Sequence, residues 1–207
     1  AEIRDFLLKT SILGRLTGAL CDAVTGQKDG GDILLNLESG HLLIVPLDES
    51  RQWYRYEHLF AELLGHQMRK KYQAEEIDEF HRRASRWYED NHLPDNAITH
   101  AIVAREWERA AGIIENNIRA HINRGEWATI RNWLQPLPDD VLQNHLFLYI
   151  QYCFSLAITG RIDEAELKLR NMEMISYGDA RIQGQIAAIQ AFVYNILDDI
   201  LRTEEYG

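Results

Sequence analysis

The side chains of this chain that could do chemistry are eight histidines, two cysteines, several serines and a few acidic pairs, and their spacing decides what they could do. No two histidines stand in an H-E-x-x-H arrangement, and neither Cys21 nor Cys153 has a second cysteine or a paired histidine at zinc-ligand spacing, so no metal site is expected. Ser11, Ser39, Ser50, Ser85, Ser155 and Ser176 lack the G-x-S-x-G elbow that exposes a nucleophile. Asp139-Asp140 and Asp198-Asp199 are pairs of the kind that cap or solvate helices. The glycines of Gly26-Gln27-Lys28-Asp29-Gly30-Gly31 suggest a phosphate loop, but the Gly-Lys-Ser/Thr that cradles phosphate and magnesium is missing, and a surface turn is the better reading. The chain is therefore expected not to be an enzyme and to hold no cofactor of its own. Aromatic faces can stack on a sugar or another ring. Trp87, Trp107, Trp127 and Trp133 all sit at helical spacing from other apolar residues, which favours a core role, and Trp107, Trp127 and Trp133 are carried as candidates for a ligand or partner groove.

The elements that must position these residues follow from periodicity. Phe6-Leu7-Leu8 with Ile12-Leu13, and Leu16, Leu20, Ala23 and Val24 after Gly14, predict two short helices. Asp32 is the expected N-cap of a third over Ile33–Leu37, and Gly40 its stop. His41–Val45 is a β-prone run ended by Pro46, and a polar turn at Asp48-Glu49-Ser50 leads to the aromatic run Trp53–Tyr56, which predicts a hairpin. From His58 the apolar period is helical again as far as Arg69-Lys70-Lys71. Helix, helix, helix, strand, strand, helix is a winged helix. Such a unit can read DNA or dock on a neighbouring domain. The third helix offers only Asp32, Asn36 and Glu38 as polar residues, and an acidic helix opposes the phosphates of a groove, so docking is the expected role.

Beyond residue 72 the composition shifts to amphipathic helices, expected at 95–104, 106–117, 126–135, 145–159, 161–174 and 179–199, after a first one carrying Ile77, Phe80, Ala84, Trp87 and Tyr88. Gly160-Arg161-Ile162-Asp163-Glu164-Ala165 resembles the turn and second-helix start of a tetratricopeptide repeat, and Gly125-Glu126-Trp127 and Arg105-Glu106-Trp107 echo it. The fold class is thus mainly α: a winged helix over 1–72 with one small β-hairpin, followed over 73–207 by a degenerate, tetratricopeptide-like helical-repeat array whose stacked pairs leave a concave face for binding.

Charge is divided unevenly, with 9 Lys+Arg against 10 Asp+Glu in residues 1–72 and 13 against 22 in 73–207. The acidic second part is expected to repel nucleic acid. Two lone cysteines in apolar helical surroundings suit a reducing compartment, and no stretch approaches the roughly 20 apolar residues of a membrane span, so a cytoplasmic protein without membrane contact is expected. Opening on Ala1 and stopping at Gly207 just after an apolar helix, the chain is expected to be an interior piece of a longer one.

Three segments, Phe6–Leu13, Leu47-Asp48-Glu49 and Trp53–Leu64, together resemble the winged-helix region of MalT-type, LuxR-family regulators, which are signal-transduction ATPases. Leu93–Ala101 and Trp107–Ala111 resemble the helical segment that follows it in that family. The resemblance implies an upstream ATPase domain holding ATP or ADP with magnesium, then the winged helix, then repeats sensing a small-molecule inducer or protein partner, then a DNA-binding domain. It also implies a histidine near the start of the last winged-helix helix that contacts the nucleotide's phosphate. The corresponding stretch here is Tyr56-Glu57-His58-Leu59, which makes Glu57 and His58 the nucleotide-contact candidates. Family members often have histidine at both middle positions. A carboxylate at 57 would repel phosphate where an imidazole would donate to it, and His58 could instead pack on Tyr54 or Tyr56. The function implied is an interior regulatory segment coupling nucleotide and inducer state to a DNA-binding domain. The alternative is a helical scaffold for a protein partner.

Overall fold

The computed structural model describes residues 2–40 and 43–175, and beyond them 180–181, 183–184, 186–192 and 194–195. The chain divides into two compact units, Ala1–Glu106 and Trp107–Gly207. The first runs past the expected winged-helix segment and takes in the first helical hairpin after it.

In the first unit, α1 (Glu2–Thr10), α2 (Gly18–Thr25) and α3 (Gly30–Ser39) lead into β1 (Ile44–Pro46) and β2 (Tyr54–Tyr56), then α4 (His58–Lys71), α5 (Ala74–Asp90) and α6 (Pro94–Val103). The strands pair antiparallel, Ile44 with Tyr56 and Pro46 with Tyr54, and Leu16 adds a bridge by exchanging both backbone hydrogen bonds with Tyr54 at 2.8 and 2.9 Å. Residues His41 and Leu42 of the expected first strand lie outside the described residues. Alternation on β2 buries Tyr54 and Tyr56 and leaves Arg55 in water. The Thr10 hydroxyl donates to the Phe6 carbonyl at 2.7 Å, so the Tyr56 hydroxyl, 2.6 Å away, donates to Thr10 and ties hairpin to α1. Phe6, Leu8, Leu16, Leu20, Val24 and Leu34 fill the core between them.

Helix α3 begins two residues before the expected N-cap. Asp29 stands at the cap position without a side-chain bond, and Asp32 falls in the first turn. The capping role belongs to Asp22 on α2, whose carboxylate accepts the Gly30 N–H at 2.8 Å. At the other end of the unit, Asp5 accepts from Lys71, Lys9 and Tyr72, fastening α1 to the end of α4. Burial alone would raise the Asp5 carboxyl, but these three donors outweigh it and hold it well below the usual carboxylate range.

The second unit holds α7 (Trp107–Arg124), α8 (Trp127–Leu134), α9 (Asp139–Asn144), α10 (Leu146–Ile158) and α11 (Ile162–Ile175), with further helical residues between 180 and 195. Much of the last expected helix, including Val193, Ile196 and Leu197, lies outside the described residues. Ile114, Ile118, Ile130, Leu134, Leu142 and Leu148 are fully buried and form its core. The expected helix over 106–117 in fact continues to Arg124, because the apolar stripe goes on through Ile118. Asp139-Asp140, expected to cap or solvate a helix, opens the short helix α9, where its exposed charges meet the positive end of the helix dipole.

One turn recurs through both units. A residue within two positions of the helix end is left-handed at His92, Arg105, Gly125 and Gly160, with φ of 59°, 57°, 69° and 81°. At each, that residue's N–H and the next one reach back to two carbonyls of the last helical turn, as Gly160 does to Ala157 and Arg161 to Leu156. The sequence echoes at 105, 125 and 160 are therefore copies of one helix stop that releases the chain directly into the next helix. His92 is exposed, so only its backbone conformation is at stake. His92→Gly should raise stability by about 0.5–1 kcal/mol, since glycine adopts φ > 0 without the Cβ penalty. A higher denaturation midpoint in urea would show it; a lower one would mean the histidine side chain stabilises the turn.

Among the described residues, no helix is long and apolar enough to cross a membrane.

Candidate functional site

Glu57 and His58 stand together at the start of α4. Glu57 is the N-cap residue. Its N–H donates to the Leu43 carbonyl at 2.9 Å and its carbonyl accepts from Ala61, while its side chain makes no capping bond. The backbone is thus fixed between hairpin and helix, and the carboxylate is left to solvent. His58 does not pack on either tyrosine: its side chain is 82% exposed, with Nε2 3.3 Å from Glu62 one turn along α4. Tyr56 meets Phe60 edge-on instead, at 5.8 Å.

The surroundings of these two residues are apolar. Leu59, Leu63 and Leu43 are 78%, 53% and 52% exposed, a concentration of bare leucine that a solvated surface does not require. With Ile44, Pro46 and Phe60 they line an open hollow of about 990 Å³, whose polar edge is Glu38, Arg51, Glu57 and His58. Leu43 has φ of 53°, a left-handed conformation that costs a bulky residue about 1–2 kcal/mol. Sequence reasoning found the polar pair through a motif but missed the leucine collar, because Leu59 and Leu63 have the period of a helix's core face.

The exposed face of α3 carries Asp32, Leu35, Asn36 and Ser39, with no lysine or arginine, while Leu34 and Leu37 turn inward. That face carries no cation to neutralise a DNA phosphate.

In the second unit the candidate tryptophans go to different places. Trp133 is 6% exposed and meets His121 edge-on at 4.4 Å, so it is core. Trp107 is half-buried at the first position of α7. Trp127 lines a hollow with Ile150, Gln151, Phe154, Ala188 and Ile189, and its ring meets Phe154 at 4.7 Å. Phe154 in turn meets Phe192 at 5.2 Å, which makes a short aromatic ladder along that wall. Among the described residues no three histidine, cysteine or acidic side chains gather as a metal cluster would. Burial pushes the thiol of Cys21 far above its ordinary value and that of Cys153 up to about 12, so neither is a reactive thiolate.

Three helices closed by a two-stranded hairpin and a fourth helix, leading into helical hairpins with a repeated stop, define a winged helix at the head of a tetratricopeptide-like array. Residues 1–76 match the family model described as the MalT winged helix domain. The chain is also similar to the HTH-type transcriptional regulator MalT of Klebsiella pneumoniae, 29% identical over 196 residues that cover 93% of the chain and 22% of the regulator. It is similar as well to the serine/threonine-protein kinase PknK of Mycobacterium tuberculosis, 24% identical over 211 residues, 99% of the chain and 19% of the kinase. The chain spans about a fifth of the length of the curated relatives it matches.

Proposed function

We propose that the chain is a regulatory segment of a LuxR-family, MalT-type transcriptional regulator, whose winged helix docks on a nucleotide-binding ATPase domain of the same protein. The observation that carries this reading is the collar of exposed leucines around His58. Burying one such side chain contributes about 1.5–3 kcal/mol, so Leu43, Leu59 and Leu63 together could hold a domain that presents a nucleotide to the start of α4. A phosphate there would meet the His58 imidazole and the positive end of the helix, while Glu57 opposes it. ATP or ADP and magnesium belong to that partner domain. The repeats, with the Trp127 hollow, are then the part that receives an inducer or a protein partner and passes the state to a DNA-binding domain further along. In this reading the protein is cytoplasmic, and this segment touches neither nucleic acid nor membrane.

The test is nucleotide retention in the full-length protein. His58→Ala should weaken ADP binding by about tenfold or more, as expected for loss of one charge-assisted hydrogen bond, and Glu57→Ala should strengthen it. Unchanged affinity in both variants would remove both residues from the role.

The second reading, a scaffold for a protein partner, is supported by the aromatic wall of Trp127, Phe154 and Phe192. It predicts partner binding that is indifferent to nucleotide.

A further inference from the structure

We infer that His145 works as a pH-operated clasp: as an imidazolium it holds the corner between α9 and α10 to α7, and on losing one ring proton it lets the corner go. Both ring nitrogens face carboxylates, Nδ1 at 3.0 Å from Glu115 and Nε2 at 2.9 Å from Glu108. A carboxylate can only accept, so each nitrogen must bring a proton. Neutral imidazole has one N–H and would turn a lone pair toward the other carboxylate. The contact as built therefore requires the charged ring.

The charges around the ring favour that form. Helix α7 contributes Glu108 and Glu115, two turns apart on one stripe, with Gly112 between them and Arg119 next along. Helix α9 has its charges, Asp139 and Asp140, in its first turn at the end away from His145, and Asp139 is paired with Lys168 on α11. Helix α10 has no charged residue. Burial of the ring disfavours the charge, but the two carboxylates outweigh it and raise the histidine above its ordinary value.

The position makes the bond consequential. His145 is the last cap of α9, its N–H reaching Leu142, and its carbonyl accepts the first helical N–H of α10, from Tyr149. With φ −114° and ψ 65° it belongs to neither helix. One residue is thus both the joint between two helices and their tie to a third. Because the folded-state value is raised, the tie is complete below about pH 6.5 and is lost as pH rises through the folded-state value.

The test uses the 207-residue chain. Imidazole nitrogen NMR should show His145 titrating above about 6.5, with both ring nitrogens protonated below its midpoint. Amides of residues 141–149 should exchange about tenfold more slowly in the wild type than in the Glu108→Gln, Glu115→Gln double variant below that midpoint, and equally above it. A midpoint at or below 6.5, or corner exchange that is the same in both proteins at every pH, would overturn the clasp. Should the double variant not fold, the wild-type titration decides alone.

Discussion

Gly18→Ala is expected to lower the stability of the first unit by about 2–3 kcal/mol, while Gly31→Ala leaves it unchanged or raises it by up to about 1 kcal/mol. Both glycines lie in the first turn of a helix, and propensity alone favours alanine at each. What separates them is where a methyl would go. A Cβ on Gly18 would stand 2.8 Å from the Gly31 Cα and 2.9 Å from its nitrogen, and backbone cannot yield as a side-chain tip can. A Cβ on Gly31 meets nothing within 4 Å. Helices α2 and α3 therefore cross at Gly18, and the methyl would force them apart, loosening Leu20 and Leu34, which are buried between them. Urea denaturation followed by circular dichroism measures both variants. Equal midpoints would mean that the crossing is not tight.

Acid should destabilise the same unit steeply through a pair of histidines. His81 on α5 and His100 on α6 share one hydrogen bond, Nδ1 to Nδ1 at 2.8 Å, and Tyr88 stacks on His100. The bond has room for a single proton, and His100 is 6% exposed. Burial, reinforced by His81, pushes His100 down to about 3, and burial lowers His81 as well against the opposing pull of Asp78. The native state thus refuses a proton that the unfolded chain takes up at about 6.5. Stability is complete above that pH and falls below it by at most about 1.4 kcal/mol per pH unit down to about 3, a window in which several kcal/mol can be lost. The slope should become shallower in His100→Gln, with His81 left to supply the remainder, whatever that change does to overall stability. A wild-type stability that is flat between pH 6.5 and 4 would contradict the pairing.

The two histidine sites show where sequence reasoning stops. The winged helix was legible because local signals agree: helical period through Phe6 and Leu20, alternation on Tyr54 and Tyr56, Pro46 at a strand end. The helix stops at Arg105, Gly125 and Gly160 were legible as echoes, but His92 adopts the same turn with neither a glycine nor an echo to mark it. Helix α9 was missed because six residues give no period to read. The pairing of His81 with His100, and of His145 with Glu108 and Glu115, joins residues 19, 37 and 30 apart on different helices. No spacing rule reaches that far. The cap of α3 by Asp22 is hidden for the same reason. Trp133 and Trp127 have the same residue type and the same helical spacing, and only packing makes one core and the other the wall of a hollow.

The docking role of the α4 entrance is most directly tested by hydrogen exchange on residues 57–64, compared between this chain alone and the full-length protein with ADP bound. If the collar of Leu43, Leu59 and Leu63 seats on a neighbouring domain, those amides should exchange at least tenfold more slowly in the full-length protein, and Leu59→Asp should abolish the difference without lowering the stability of the chain alone. Identical exchange in the two settings would contradict the account.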